Sequence, residues 1–290
     1  MQNTIQFEGQ TVVLATMHQK EKAISPILAD AFQIHVEVPV DFNTDQFGTF
    51  TRDIPRAGSQ IEAARAKAIA ALANSEHQLA IASEGAFFPH PELSWLACNR
   101  ELVLLLDQRH ELEPKLEIIG EHITTDTSFA HQAVTSIEQA LQFAQKVGFP
   151  QQGLVAMPRP DTQVPELIYK GIRDRASLEM TVQELLQRSD TGKIHLETDM
   201  RAMHSPKRMQ AIAQATKNLV AAMASTCPKC NLPGFAIVEH IPGLPCELCG
   251  QPTQRIQADV YRCHKCHYRK VIARAANPLA SPAECSFCNP

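Results

Sequence analysis

At 290 residues the chain exceeds most single cores and falls short of three domains, so one large domain with a small companion is expected. Hydrophobic residues at 44% and charged residues at 20% exclude a mainly disordered or fibrous protein. The net charge of −4 argues against a broadly basic nucleic-acid binder. Apolar runs such as Ala68–Ala73 are too short to span a bilayer, and no signal-peptide pattern opens the sequence. A cytoplasmic location without a membrane partner is expected.

Residues 1–224 alternate strand-like and helix-like segments. Thr11–Ala15 reads as a buried strand, Ala23–Ala31 as a helix, and Ile34–Val38 as a half-exposed strand. An alanine-rich helix follows Gly58-Ser59, with Ile61, Ala64, Ala68 and Leu72 as its apolar stripe and Arg65 and Lys67 on other faces. Leu79–Ala82, Leu102–Leu106 and the surroundings of Ile118 read as strands. Ser136 caps a helix over Ile137–Val147 that Gly148 closes, with Pro150 beyond. Leu154–Met157 and Leu167–Tyr169 read as strands on either side of a proline-rich loop, Pro158–Pro165. A helix over Arg175–Arg188, a strand at Ile194–Leu196 and a helix from Ser205-Pro206 complete this part. The alternation predicts an α/β domain with a twisted, mostly parallel sheet and helices on both faces.

Residues 225–290 differ. They contain eight of the nine cysteines, as Cys227/Cys230, Cys246/Cys249, Cys263/Cys266 and Cys285/Cys288. Four C-x-x-C pairs in a chain without an export signal point to metal rather than disulfides, and they suffice for two four-thiolate zinc sites. Two pairings suggest themselves: a ribbon-like inner set with the two outer pairs as a second site, or neighbours taken in sequence. The spacing is compatible with both. This double zinc-binding domain carries seven Lys/Arg against four Asp/Glu, but eight thiolates with two Zn²⁺ bring it near neutrality. A stabilising role is the simplest one for the metal, since so small a module buries little apolar surface. The cluster Arg262, Lys265, Arg269 and Lys270 leaves RNA or protein binding as the alternative function.

Four places in the front domain have residues suited to chemistry. Thr16, His18 and Lys20 follow the first strand and enter a helix, a placement that suits a phosphate. Glu62 stands three residues after Ser59, where it is either a magnesium ligand or half of a capping box. Glu84, in Ser83-Glu84-Gly85, is expected in the turn just past a strand, pointing into the ligand crevice of an open α/β sheet. Asp199 and Arg201 either clamp an anion or brace the turn before Ser205. His90, His131 and His195 read as turn or surface residues, and Cys98 as a buried free thiol.

Ala15-Thr16…Lys20, Gly58…Glu62 with its alanine-rich continuation, and Ala82-Ser83-Glu84-Gly85 together resemble the ordered motifs of house-cleaning nucleoside triphosphate pyrophosphatases. The inosine/xanthosine triphosphatase branch is the nearest. The resemblance implies that Lys20 meets phosphate and that Glu62 and Glu84 bind magnesium; Met17-His18 departs from the Asn-Pro of that motif. The whole chain also resembles an uncharacterised bacterial family with this front domain and a four-CxxC tail. Its marks here are Asp45–Phe50, Glu197–Ala202 and the Cys285–Pro290 ending. The resulting expectation is a magnesium-dependent hydrolase of nucleoside triphosphates or other phosphate esters, with catalytic Glu84, Glu62 and Lys20. Its ligand contacts would be Thr16, His18, Lys20 and Arg201, and a homodimer is compatible with it.

Overall fold

The computed structural model describes residues 6–40, 42–44, 58–89, 95–109, 115–274 and 279–290. The segment Asp45–Phe50 and His90 lie outside the described residues. The chain divides into two compact units. The larger comprises Phe7–Glu111 and Ile119–Val220; the smaller comprises Met1–Gln6, Leu112–Ile118 and Ala221–Pro290.

The first half of the larger unit contains β1 (Thr11–Ala15), α1 (Glu21–Phe32), β2 (His35–Glu37), α2 (Gln60–Ala73), β3 (Leu79–Pro89) and β4 (Ala97–Asp107). With β5 (Leu116–Thr124) the strands form a five-stranded sheet in the order β2-β1-β3-β4-β5. β2, β1 and β3 are parallel, whereas β4 runs antiparallel to β3. The sheet is therefore mixed, which corrects the expected mostly parallel one. The connections explain why: β3 ends at Pro89 and β4 starts at Ala97, too short a gap for the dozen or so residues that a parallel crossover needs. The strand expected at Leu79–Ala82 also runs on to Pro89, which moves Glu84 from a strand end into mid-strand.

α2 packs its alanines against the small residues of this sheet: Ala64, Ala68 and Ala71 share one core with Val13, Ala15, Ala80 and Ala82. Small side chains on both surfaces let helix and strands approach closely. Ser59 caps the helix, accepting a hydrogen bond from the Glu62 amide while Glu62 Oε2 accepts one from the Ser59 amide at 2.7 Å.

The second half forms a separate antiparallel sheet. Its elements are β6 (His131–Val134), α3 (Ile137–Val147), β7 (Leu154–Met157), β8 (Tyr169–Ile172), α4 (Arg175–Gln187) and β9 (Ile194–Thr198), with strand order β6-β9-β7-β8. Every pairing in it is antiparallel. Phe143 of α3, Leu178 and Val182 of α4, and Leu154 and Leu196 of the strands fill its core. α3 has the caps its sequence announced, Ser136 at the start and Gly148 at φ 83°. The strand expected at Leu167–Tyr169 starts later: Leu167 closes a 3-10 turn that opens on Pro165, and β8 begins only at Tyr169. α5 (Pro206–Ala224) comes next.

The smaller unit contains an antiparallel meander of β10 (Ala236–Pro242), β11 (Ile256–Arg262) and β12 (Arg269–Ala273). No helix among the described residues is long and apolar enough to cross a membrane.

Candidate functional site

A charged cluster sits inside the larger unit, around Ser83-Glu84-Gly85 on β3. Lys20, the cap residue of α1, donates from Nζ to the Ser83 carbonyl at 2.8 Å and to Ser83 Oγ at 3.3 Å. Lys67 of α2 forms an ion pair with Glu84. Gln60, two turns earlier on the same face of α2, donates to the carbonyls of Glu84 (2.8 Å) and Arg100 (3.0 Å) and so spans β3 and β4. Arg208 of α5 donates through Nε and Nη2 to the two carboxylate oxygens of Glu101 at 2.7 and 3.1 Å. Its Nη1 reaches the Met200 carbonyl, and its guanidinium lies 6.0 Å from the centre of the Phe87 ring.

All five charged residues are buried: Lys20, Lys67, Glu84, Glu101 and Arg208 are each no more than 7% exposed. Three cations face two carboxylates. Burial, reinforced by the nearby Arg208 charge, pulls the Lys20 amine down from 10.5 to about 7, while Glu101 and Glu84 pull it the other way. With Lys20 neutral the other four charges balance, and with Lys20 protonated the cluster has one positive charge in excess. Gly85 makes room for this arrangement, because a Cβ there would lie 2.8 Å from Glu101 Oε1 and collide with the Arg208 guanidinium.

Of the residues expected at a phosphate site, the structure thus brings Lys20 and Glu84 together and keeps Glu62 apart. Glu62 is exposed and closes the Ser59 capping box, whose backbone hydrogen bond from Ser59 holds its carboxyl below the usual range. Glu84 is committed to Lys67. The pair therefore does not fit a shared magnesium ion, a correction to the reading drawn from the motifs. Thr16 is buried and its Oγ1 accepts from the His18 amide at 3.2 Å, so these two build the turn that delivers Lys20.

Lys67, Gln60, Glu101 and Arg208 are functional candidates that the sequence reading missed. Lys67 was placed away from the apolar stripe. In fact Gln60, Ala64, Lys67 and Ala71 recur at helical spacing on the buried face of α2. Arg208 likewise falls in line with buried Ile212, Ala215 and Leu219. A charged residue in phase with an apolar stripe was the available signal.

Arg201 belongs to a second cluster. Asp199 Oδ2 accepts from Arg201 Nη2 at 2.6 Å and from the Gly171 amide at 3.0 Å, and Asp199 Oδ1 accepts from the Arg201 amide at 3.0 Å. The side chain folds back on its own turn, which is the bracing arrangement rather than an open anion clamp. His204 packs beside it, 4.0 Å from Asp199 Oδ2, and burial lowers its pKa against the pull of Asp199. His195 corrects an expectation of exposure: it is buried on β9, 3.3 Å from Glu197. His131 is an exposed strand residue and Cys98 a buried free thiol.

The cysteines of the smaller unit gather in two sets, Cys227/Cys230/Cys263/Cys266 and Cys246/Cys249/Cys285/Cys288. Within each set all ligand atoms lie within 4.8 Å of one another. The first motif thus joins the third and the second joins the fourth, which replaces both pairings that the spacing suggested. The meander dictates this. Successive antiparallel strands reverse direction, so Ala236, Arg262 and Arg269 meet at one end, and Pro242, Ile256 and Ala273 lie toward the other. Motifs one and three flank the first end; motifs two and four flank the second.

Each motif turns alike. The amides of Asn231, Gly250, His267 and Asn289 donate to the carbonyl of the first cysteine of their own motif. Asn231, Gly250 and His267 adopt positive φ to do so. The cross-motif Sγ–Sγ distances are 3.6 and 3.5 Å in the first set and 3.8 and 3.7 Å in the second. A tetrahedron with Zn–S bonds of about 2.3 Å has edges of about 3.8 Å, whereas a disulfide needs about 2.05 Å. The donor set therefore fits zinc. The backbone amide at Tyr268 draws the Cys266 thiol down to about 7, and those at Cys288 and Phe287 do the same for Cys285. Burial pushes Cys263 up to about 12, and the hydrogen bond with Cys249 pushes Cys288 up to about 12. Four thiolates so close together need a cation between them.

Residues 67–290 match the family described as a domain of unknown function (DUF6671), and the chain belongs to that family. The match takes in Lys67, Glu84, Glu101, Arg208 and all eight cysteines of the two sets; Lys20 and Gln60 precede it. No curated protein sequence matches the chain.

Proposed function

We propose that the larger unit binds a phosphorylated small molecule, a nucleotide in the first instance, at the Lys20–Lys67–Arg208 cluster and hydrolyses it there. The smaller unit would hold two structural zinc ions. The observation that carries this reading is the meeting of three cations and two carboxylates, from positions 20 to 208, around one glycine-spaced strand segment. A surplus positive charge in a buried setting favours an anion, and Lys20 follows a parallel strand into a helix amino terminus, as phosphate sites commonly require. The likeness of Ala15-Thr16…Lys20 and Ser83-Glu84-Gly85 to nucleotide pyrophosphatase motifs supports the same substrate class. Lys20, which takes up a proton as the anion binds, would pass it to the leaving-group oxygen as water attacks phosphorus, with the water's own proton released to solvent. Arg208 and Lys67 would offset charge on the phosphoryl oxygens.

The test is hydrolysis of a nucleoside mono-, di- and triphosphate panel, with and without magnesium, by the wild type and by Lys20→Met. Turnover of one or more members that Lys20→Met reduces by at least about 100-fold is expected for loss of a proton-transfer group. A panel that wild-type protein neither binds nor cleaves would leave the cluster as a packing network only.

A further inference from the structure

The interleaved pairing gives the two ends of the meander different surfaces. At the third position of each C-x-x-C motif the Cys227 and Cys263 loops present Lys229 and Lys265, whereas the Cys246 and Cys285 loops present Leu248 and Phe287. Arg262 closes β11 and Arg269-Lys270 open β12 at the lysine end, so five of the seven Lys/Arg in residues 225–290 collect around one zinc set. All five are exposed.

Neighbours do little to neutralise them. Glu239 lies 3.6 Å from Arg269, but among the described residues Lys229, Arg262, Lys265 and Lys270 form no ion pair. Arg262 and Arg269 stand directly opposite each other across the β11–β12 ladder, a like-charge pairing that costs stability unless an anion relieves it. Tyr261 pairs with Lys270 in the next register position, so the cations line both sides of the strand end. Tyr261 and Tyr268, both half-buried, flank Phe235 with ring centres 5.6 and 5.9 Å away and form an aromatic ledge beside this charge. Counted with a zinc tetrathiolate of charge −2 and with Glu239, this end keeps a positive excess, even though the unit as a whole is near neutral.

We infer that the Cys227/Cys230/Cys263/Cys266 end of the smaller unit is a binding surface for single-stranded nucleic acid. Lys229, Arg262, Lys265 and Lys270 grip the phosphates, and the Tyr261–Tyr268 ledge offers the bases an aromatic edge. Exposed cations beside aromatic rings are the combination that single strands recognise, and release of counterions drives the association. This surface is independent of the Lys20 cluster and does not require that site to be active.

Fluorescence anisotropy of a labelled oligouridine with the full-length, zinc-loaded protein tests it. The expected result is binding that weakens with salt on a log–log slope of about −3, as four released counterions on a single strand give. K229E/R262E/K265E/K270E should weaken binding by more than about tenfold while two zinc ions per chain are retained. If that variant loses zinc, the corresponding glutamine variant should still weaken binding and flatten the salt slope. Leu248→Ser with Phe287→Ser, at the opposite end, should leave affinity unchanged. Wild-type protein without affinity for the oligomer would overturn the inference, as would binding that survives the glutamate changes or vanishes with the Leu248/Phe287 pair. Displacement by polyglutamate at equal charge would point to an acidic protein partner instead, and tighter binding of a duplex with the same number of phosphates would overturn the single-strand assignment.

Discussion

Lys20 is a lysine in surroundings that oppose its charge, and its effect on stability has a definite sign. Its pKa falls from 10.5 to about 7 on folding, chiefly through burial. Between those values the unfolded chain binds more protons than the folded one, so stability rises with pH across the window, by up to about 1.4 kcal/mol per unit. Urea unfolding between neutral and mildly alkaline pH should show this rise in the wild type, and Lys20→Met should lack it. An identical slope in both would mean that the amine remains charged in the folded state. Glu62 makes the contrasting case. Its carboxylate serves the helix cap, so Glu62→Gln should leave ligand binding intact and change stability little, while Ser59→Ala should cost about 1 kcal/mol. Thermal unfolding of the two variants, set beside nucleotide binding, separates the cap from a ligand role.

The ion pair between Arg208 of α5 and Glu101 of β4 ties helix to sheet with nothing exposed: the side chains are 1% and 0% accessible. Removing one partner strands a buried charge, so Arg208→Met or Glu101→Leu alone should destabilise by about 3–5 kcal/mol, and the double change should recover much of that loss. Denaturant unfolding of the three variants checks it; additive losses would mean that the two side chains act separately. Much at this scale was legible in the sequence. β1, α3 and β7 lie where the pattern put them, because each is bounded by residues with one dominant local meaning: Ser136 and Gly148 at the ends of α3, Pro158 just past β7. β3 was cut short because Ser83-Glu84-Gly85 has the composition of a turn, and only its pairing with β4 through Pro89 keeps it extended. Lys67, Arg208 and Glu101 went unseen for a related reason. A charge reads as exposed until its partner is known, and these partners are separated by up to 107 residues.

At the scale of the molecule, the metal ligands were legible as residues but their partnership was not, since spacing along a chain says nothing of which loops share one end of a sheet. Double variants test the interleaved pairing. Cys230→Ser with Cys263→Ser damages one site and should cost one zinc ion per chain; Cys230→Ser with Cys249→Ser damages both and should cost two. The reverse outcome in elemental analysis would restore pairing of neighbouring motifs. The larger unit has cores of its own, around Leu154 and Leu196 and around Ala64 and Leu104, and should stay folded when the metal is removed. The central claim, that its buried cluster takes an anion, is tested most directly by calorimetric titration with pyrophosphate at mildly alkaline pH in two buffers of different ionisation enthalpy. An anion lodged among Lys20, Lys67 and Arg208 raises the Lys20 pKa from about 7, so the heat should depend on the buffer and report uptake of up to about one proton, lost in Lys20→Met. Wild-type heats that show no binding, or a proton uptake that Lys20→Met leaves unchanged, would contradict it.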